Sequence, residues 1–145
     1  MTEVAFHFNV PDKLAYSCRL LRKAAGKGAR IAVLAESQDL HRLDRDLWEF
    51  APTEFLTHCV VQGATPALRA ASSVLLCDTV AVVAHDQVLL NLADAVPAGF
   101  ERFARLIELV GCDALDRERS RLRWRHYTAR GYAISRHDVA NRSAH

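Results

Sequence analysis

Residues 3–35 decide the fold: Glu3-Val-Ala-Phe-His-Phe-Asn-Val10, then Pro11-Asp12, then an apolar stripe at Leu14, Cys18, Leu21 and Ala25, and finally Ala29-Arg-Ile-Ala-Val-Leu-Ala35. The first stretch alternates and is rich in Phe and Val, which reads as a strand. Pro11-Asp12 opens a helix, the stripe follows helical spacing, and Gly26 or Gly28 is placed to stop it. The last stretch is a short continuous apolar run, the pattern of a strand buried on both faces. Strand, helix, strand in that order requires a crossover and so a parallel pairing.

Working outward, Ser37 is placed to cap a second helix with Leu40, Leu43 and Leu47 as its core stripe, and Pro52 lies just past its end. Phe55–Val61, Val74–Cys77, Ala81–Val83 and Val88–Leu92 are further strand candidates, with 63–73 between them reading as a loop. Pro97-Ala-Gly-Phe100 turns the chain, and Leu106-Ile-Glu-Leu-Val110 reads as the last strand. Asp113 then caps a long helix to about Arg130, with Gly131 beyond its end. The expectation is a single three-layer α/β domain over 1–145, Rossmann-like, with a mainly parallel sheet covered by helices on both faces. Residues 133–145 carry no sustained apolar pattern and are expected to fray.

The bulk numbers agree with this. The chain has 145 residues, 50% of them hydrophobic and 25% charged, which suits one globular domain with its own core. No apolar run reaches the ~18–20 residues of a membrane span. The start lacks the basic and apolar regions of a secretory signal, so the expected setting is the cytoplasm. Cys18, Cys59, Cys77 and Cys112 are spread without a C-x-x-C pair, and read as reduced, mostly buried small hydrophobes.

Chemistry is sparse along the chain. The first strand–helix turn, Phe8-Asn-Val-Pro-Asp-Lys13, has no glycine, and Pro11 removes an amide, which argues against a bound dinucleotide at the usual place. No phosphate-binding loop motif and no zinc-like Cys/His spacing occurs, so neither cofactor nor metal is expected. His58-Cys59, and Cys77-Asp78 with His85, are the nearest approach to a nucleophilic site, with nothing local to support one.

Charge is where the sequence speaks. Residues 116–145 hold eight Arg and three acids, and residues 1–115 carry a net −3. An arginine-rich end on a mildly acidic body points to a localised anionic partner. At 100° per residue, with Arg117 at 0°, Arg121 falls at roughly 40°, Trp124 at −20°, Arg125 at 80° and Thr128 at 20°, whereas Leu115, Leu122 and Ala129 fall at roughly 160°, 140° and 120°. The leucine stripe is therefore expected to dock on the sheet, leaving the arginines and Trp124 outward as a binding face; the bland alternative tucks Trp124 into the core. Two ligands fit that face. One is an acidic peptide ending in a hydrophobic residue. The other is a single-stranded nucleic acid with a base stacked on Trp124, disfavoured by the acidic body.

Several segments together resemble the chi subunit family of bacterial DNA polymerase III holoenzyme, over nearly the whole length. They are Ala5-Phe-His-Phe8, Gly28-Ala-Arg-Ile-Ala-Val-Leu-Ala-Glu36, Leu43-Asp-Arg-Asp-Leu-Trp48 with Phe55-Leu-Thr-His58, and the run from Arg117 to Tyr132. The resemblance implies a non-catalytic clamp-loader accessory protein in DNA replication. It implies pairing with the psi subunit, and binding of the acidic, phenylalanine-ended tail of single-stranded DNA-binding protein. The tail residues that carry over are Val110, Arg117, Arg121, Trp124, Arg125 and Tyr132. Trp124 stands where tyrosine is usual and Arg125 where lysine is usual. Trp48 and Phe55, core aromatics on the residues alone, become by resemblance a contact for psi, or for a helicase competing at that face. The 63–73 loop has fewer basic residues than the family leads one to expect.

Overall fold

The structure is a computed structural model and describes residues 1–50 and 56–140. Seven strands form one sheet: β1 (Glu3–Val10), β2 (Ile31–Leu34), β3 (His58–Val60), β4 (Val74–Cys77), β5 (Val88–Asn91), β6 (Arg105–Gly111) and β7 (Ile134–Asp138). Their order is β3-β4-β2-β5-β6-β1-β7, and every pairing is parallel. Four α-helices join them: α1 (Lys13–Gly26), α2 (Ser37–Phe50), α3 (Pro66–Ala71) and α4 (Ala114–Ala129).

The local chemistry of the opening segment is as expected. Asp12 caps α1 by accepting from the Ala15 amide, and beyond its end Gly28 takes a positive φ of 86°. In β2 alternate residues face opposite cores. Ile31 and Val33 meet Leu21, Leu40, Leu43 and Leu47 of α1 and α2 on one side. Ala32 and Leu34 belong to the other core, which contains Phe100, Phe103 and Tyr127 of α4. The two faces follow from chain direction. β1 leads toward the β3 edge and β6 leads toward the β7 edge, so crossovers of one hand put α1 and α4 on opposite sides.

Four expectations need correction. Ala81–Val83 is not a strand: Val80–Val82 form a 3-10 turn. Residues 63–73 are not all loop, because Thr65 caps α3, a short helix with Pro66 in its first turn. Ser37 is the first residue of α2 rather than its cap. Finally, β6 is not the last strand. Residues 134–138, expected to fray, pair with β1 as β7. An edge strand with polar residues on its open side escapes an apolar-pattern search.

β1 and β6 are neighbours whose chains leave in opposite directions, and the carboxyl ends of such strands form the crevice where α/β proteins hold anions. Val10, Pro11, Gly111, Cys112 and Asp113 line it. Asp116 of α4 reaches two of the residues around it, Gly111 and Lys13. Its carboxylate accepts the Gly111 amide at 2.6 Å and both its oxygens accept from Lys13 Nζ, at 3.2 and 3.3 Å.

Candidate functional site

The α4 helix begins at Asp113, whose side chain accepts the Asp116 amide at 2.7 Å, and ends before Gly131, which takes a positive φ of 78°. Its buried stripe is Asp116, Ser120, Arg123 and Tyr127. The leucine stripe expected to dock on the sheet does not: Leu115 is 54% exposed and Leu122 61%. The helix is seated by a polar network instead. Glu108, in the middle of β6, is 0% exposed. Arg123 Nε donates to its carboxylate at 3.0 Å, Tyr127 Oη donates to the other oxygen, and Asn91 Nδ2 reaches both, at 3.1 and 3.2 Å. Arg123 Nη1 also donates to the Asp94 carbonyl at 2.8 Å. Burial pushes the Glu108 carboxyl above its usual range, and Arg123, Tyr127 and Asn91 oppose that by donating to the ionised form. Burial likewise pushes the Tyr127 hydroxyl up, with the Glu108 charge adding to it.

Seated this way, α4 turns a different flank toward β1. Val110, Arg117, Arg121 and Trp124, four of the six tail residues carried over by resemblance, line one groove of about 540 Å³. Trp124 lies neither fully outward nor in the core; it is half-buried, edge-on to Phe6 with ring centroids 5.0 Å apart. Phe6 and Val110 are buried beneath, and Phe8 is half-buried beside them. The guanidinium rim comes from Arg117, Arg121 and, from β7, Arg136. The Arg136 guanidinium carbon is 5.4 Å from the Phe8 ring centre and 5.8 Å from that of Trp124, within cation–π range of both. Among the described residues none of the three rim arginines has a carboxylate partner, unlike Arg119, paired with Asp94 at 3.0 Å, and Arg123.

Arg125 and Tyr132 lie outside this lining. Arg125 is exposed, further round the helix. Tyr132 packs on Phe100, centroids 5.2 Å apart, and on Tyr127, extending the aromatic cluster behind the groove. Phe6, Phe8, Asn9, Ser120 and Arg136 are lining residues that the sequence reading missed. The four on β1 and β7 become neighbours of α4 only through strand order.

The second aromatic surface is partly visible. Trp48, on α2, is 58% exposed, and its ring lies 4.8 Å from that of His58 on β3. His58 Nε2 is 3.2 Å from an Asp44 oxygen. Phe55 lies outside the described residues. Of the nucleophile candidates, Cys77 donates to the Val33 carbonyl at 3.3 Å and His85 Nδ1 accepts the Gln87 amide at 3.2 Å. Cys77 is buried and its thiol is pushed up to about 12 by burial, and the Cys18 thiol to about 11. Such thiols stay protonated and unreactive at neutral pH. Among the described residues no group of three metal-ligating side chains forms, and no helix is long and apolar enough to cross a membrane.

An aromatic floor under unpaired guanidiniums suits an anion that carries an apolar group. A family model described as DNA polymerase III chi subunit, HolC, matches residues 1–135. The DNA polymerase III subunit chi of Pseudomonas aeruginosa is 28% identical over 143 residues, an alignment covering 94% of this chain and 96% of that protein.

Proposed function

The chain belongs to the DNA polymerase III chi subunit family, and from that premise we propose that its α4–β1 groove binds the acidic, phenylalanine-ended tail of single-stranded DNA-binding protein. The observation that carries this reading is the set of three rim arginines, Arg117, Arg121 and Arg136, without acid partners among the described residues, around an aromatic floor. Three guanidiniums with no acid partner among the described residues, set beside Phe6, Phe8 and Trp124, leave that acid to a ligand. In this reading the rim arginines hold the terminal carboxylate and neighbouring acids, and Val110, Phe6 and Trp124 receive the terminal ring. Arg125 meets acids earlier in the tail, and Tyr132 supports the floor from behind.

The role is non-catalytic and cytoplasmic: the protein links the clamp loader, through psi, to protein-coated single-stranded DNA. The exposed Trp48, braced by His58, is the centre of the psi contact, and a helicase competing for that face would meet the same ring. Exposed aromatic anchors of this kind carry much of the energy of an interface.

The test is calorimetric titration of the whole chain with a tail peptide, with the same peptide lacking its terminal phenylalanine, and with bare single-stranded DNA. Binding of the first at low micromolar strength or better, falling as salt rises, is expected. Arg121→Ala should weaken it about tenfold, corresponding to the ~1.5 kcal/mol of one charge-assisted hydrogen bond. Equal binding of the truncated peptide, or tighter binding of the bare DNA, would overturn the reading in favour of direct nucleic-acid contact.

A further inference from the structure

At Asn9 the strand β1 carries one residue too many. His7 pairs with Leu109 and Val10 with Gly111, so three steps on β1 match two on β6, and Asn9 sits in the bulge. Its φ is 61°, and it is the one non-glycine residue described with a positive value. Left-handed backbone is uncommon at a non-glycine residue, Asn being among those that adopt it, and such residues cluster where geometry matters for function. The side chain shows what is gained. Asn9 Nδ2 donates to Asp138 Oδ1 of β7 at 2.9 Å, which turns Oδ1 the other way, and Oδ1 accepts from Arg117 Nη2 of α4 at 3.2 Å. One amide thus ties three elements together at the rim of the groove it lines.

We propose that Asn9 is a positioning residue for ligand binding, holding the Arg117 guanidinium over the groove without neutralising it. This rests on the reading of the groove given above. The chemistry of the choice is specific. Asp138 is the nearby acid, and a direct Asp138–Arg117 pair would satisfy the guanidinium and weaken its pull on an incoming carboxylate. An amide passes on only a dipole. Arg117 keeps its full charge and, with one donor engaged, keeps its other donors for a ligand. Fixing a long side chain in advance also removes part of the ordering cost of binding, about 0.5–1.5 kcal/mol for such a side chain, or two- to tenfold in affinity.

The experiment uses the full chain and the tail peptide. Asn9→Gly keeps the positive φ and deletes the amide; Asn9→Asp keeps the shape and adds the charge, and because it also sets a second carboxylate against Asp138 it is made together with Asp138→Asn. N9G should bind the peptide roughly two- to tenfold more weakly than the native protein. N9D should bind more weakly again, with a shallower dependence on salt. In an Arg117→Ala background N9G should have no further effect, because nothing is left for the amide to position. A purely structural role would predict the same loss with and without Arg117, read alongside the thermal midpoint of each variant. Native-like binding by N9G, or an undiminished loss in the R117A background, would overturn the proposal while leaving the groove's function standing. Failure of the native protein to bind the peptide would overturn both.

Discussion

Replacing Arg123 with leucine should do more harm than any substitution on the exposed face of α4. Arg123 is 2% exposed and its Nε donates to Glu108 at 3.0 Å. Arg123→Leu removes the cation and leaves the carboxylate buried, with only Tyr127 and Asn91 still donating to it. Breaking one side of a buried ion pair costs about 3–5 kcal/mol. For a chain of this size, with a urea slope of roughly 2 kcal/mol per molar, the unfolding midpoint should fall by about 2 M. The loss should also depend on pH. Burial already pushes Glu108 upward, and without Arg123 the folded protein holds it protonated well above the pKa of the unfolded chain. Both states are protonated at low pH; as pH rises the unfolded chain releases its proton first, so stability falls with rising pH. R123L should therefore sit closer to the native protein at pH 5 than at pH 7.5. Adding Glu108→Gln to R123L should recover part of the loss at pH 7.5, since a neutral amide replaces the stranded charge. Urea titrations followed by circular dichroism at the two pH values check all three statements. A loss below about 1 kcal/mol, or one equal at both pH values, would refute the view that this pair seats the helix.

Two smaller predictions concern other sites. Leu122→Glu should change stability by no more than about 0.5 kcal/mol, because the side chain is 61% exposed; a urea midpoint lowered by 1 M or more would mean the helix docks by its leucines after all. His85, whose pKa is pushed down to about 4 first by burial and then by Arg30 and Arg102, should make the native protein lose stability as pH falls from about 6.5 toward 4. There the unfolded chain takes up a proton and the folded one does not, a loss of order 2 kcal/mol. His85→Asn should lack that component in the same pH series.

The opening strand, helix and strand were legible because their signals are local. Asp12 caps by reaching three residues along, β2 is an unbroken apolar run, and the apolar residues of α2 repeat with the helical period. The orientation of α4 was not legible by the same means. Its inward stripe is an acid, a serine, an arginine and a tyrosine, and the partners of the acid, the arginine and the tyrosine, Gly111 and Glu108, lie on the strand before it. A hydrophobic wheel ranks that stripe as the wet side. One cue was present. Glu108 interrupts an otherwise apolar strand, and a carboxylate there needs a buried donor from somewhere. In the groove, Arg117, Arg121 and Trp124 were readable because they share one helix flank, whereas Val110 came only with the family resemblance. Phe8, Asn9 and Arg136 were not, because a bulge and an edge strand bring them there, and neither has a short-range signature beyond the residues themselves.

Asp116 has a wider consequence. At the mouth of the sheet, where α/β proteins commonly receive phosphate, this chain has installed a tenant of its own, moored to a backbone amide and a lysine. A phosphate brought to that mouth would meet a lysine whose charge this carboxylate already answers. The space beside it stays open, so what the mooring takes from that end of the sheet is one amide and one cation, the two kinds of group an anion would seek there.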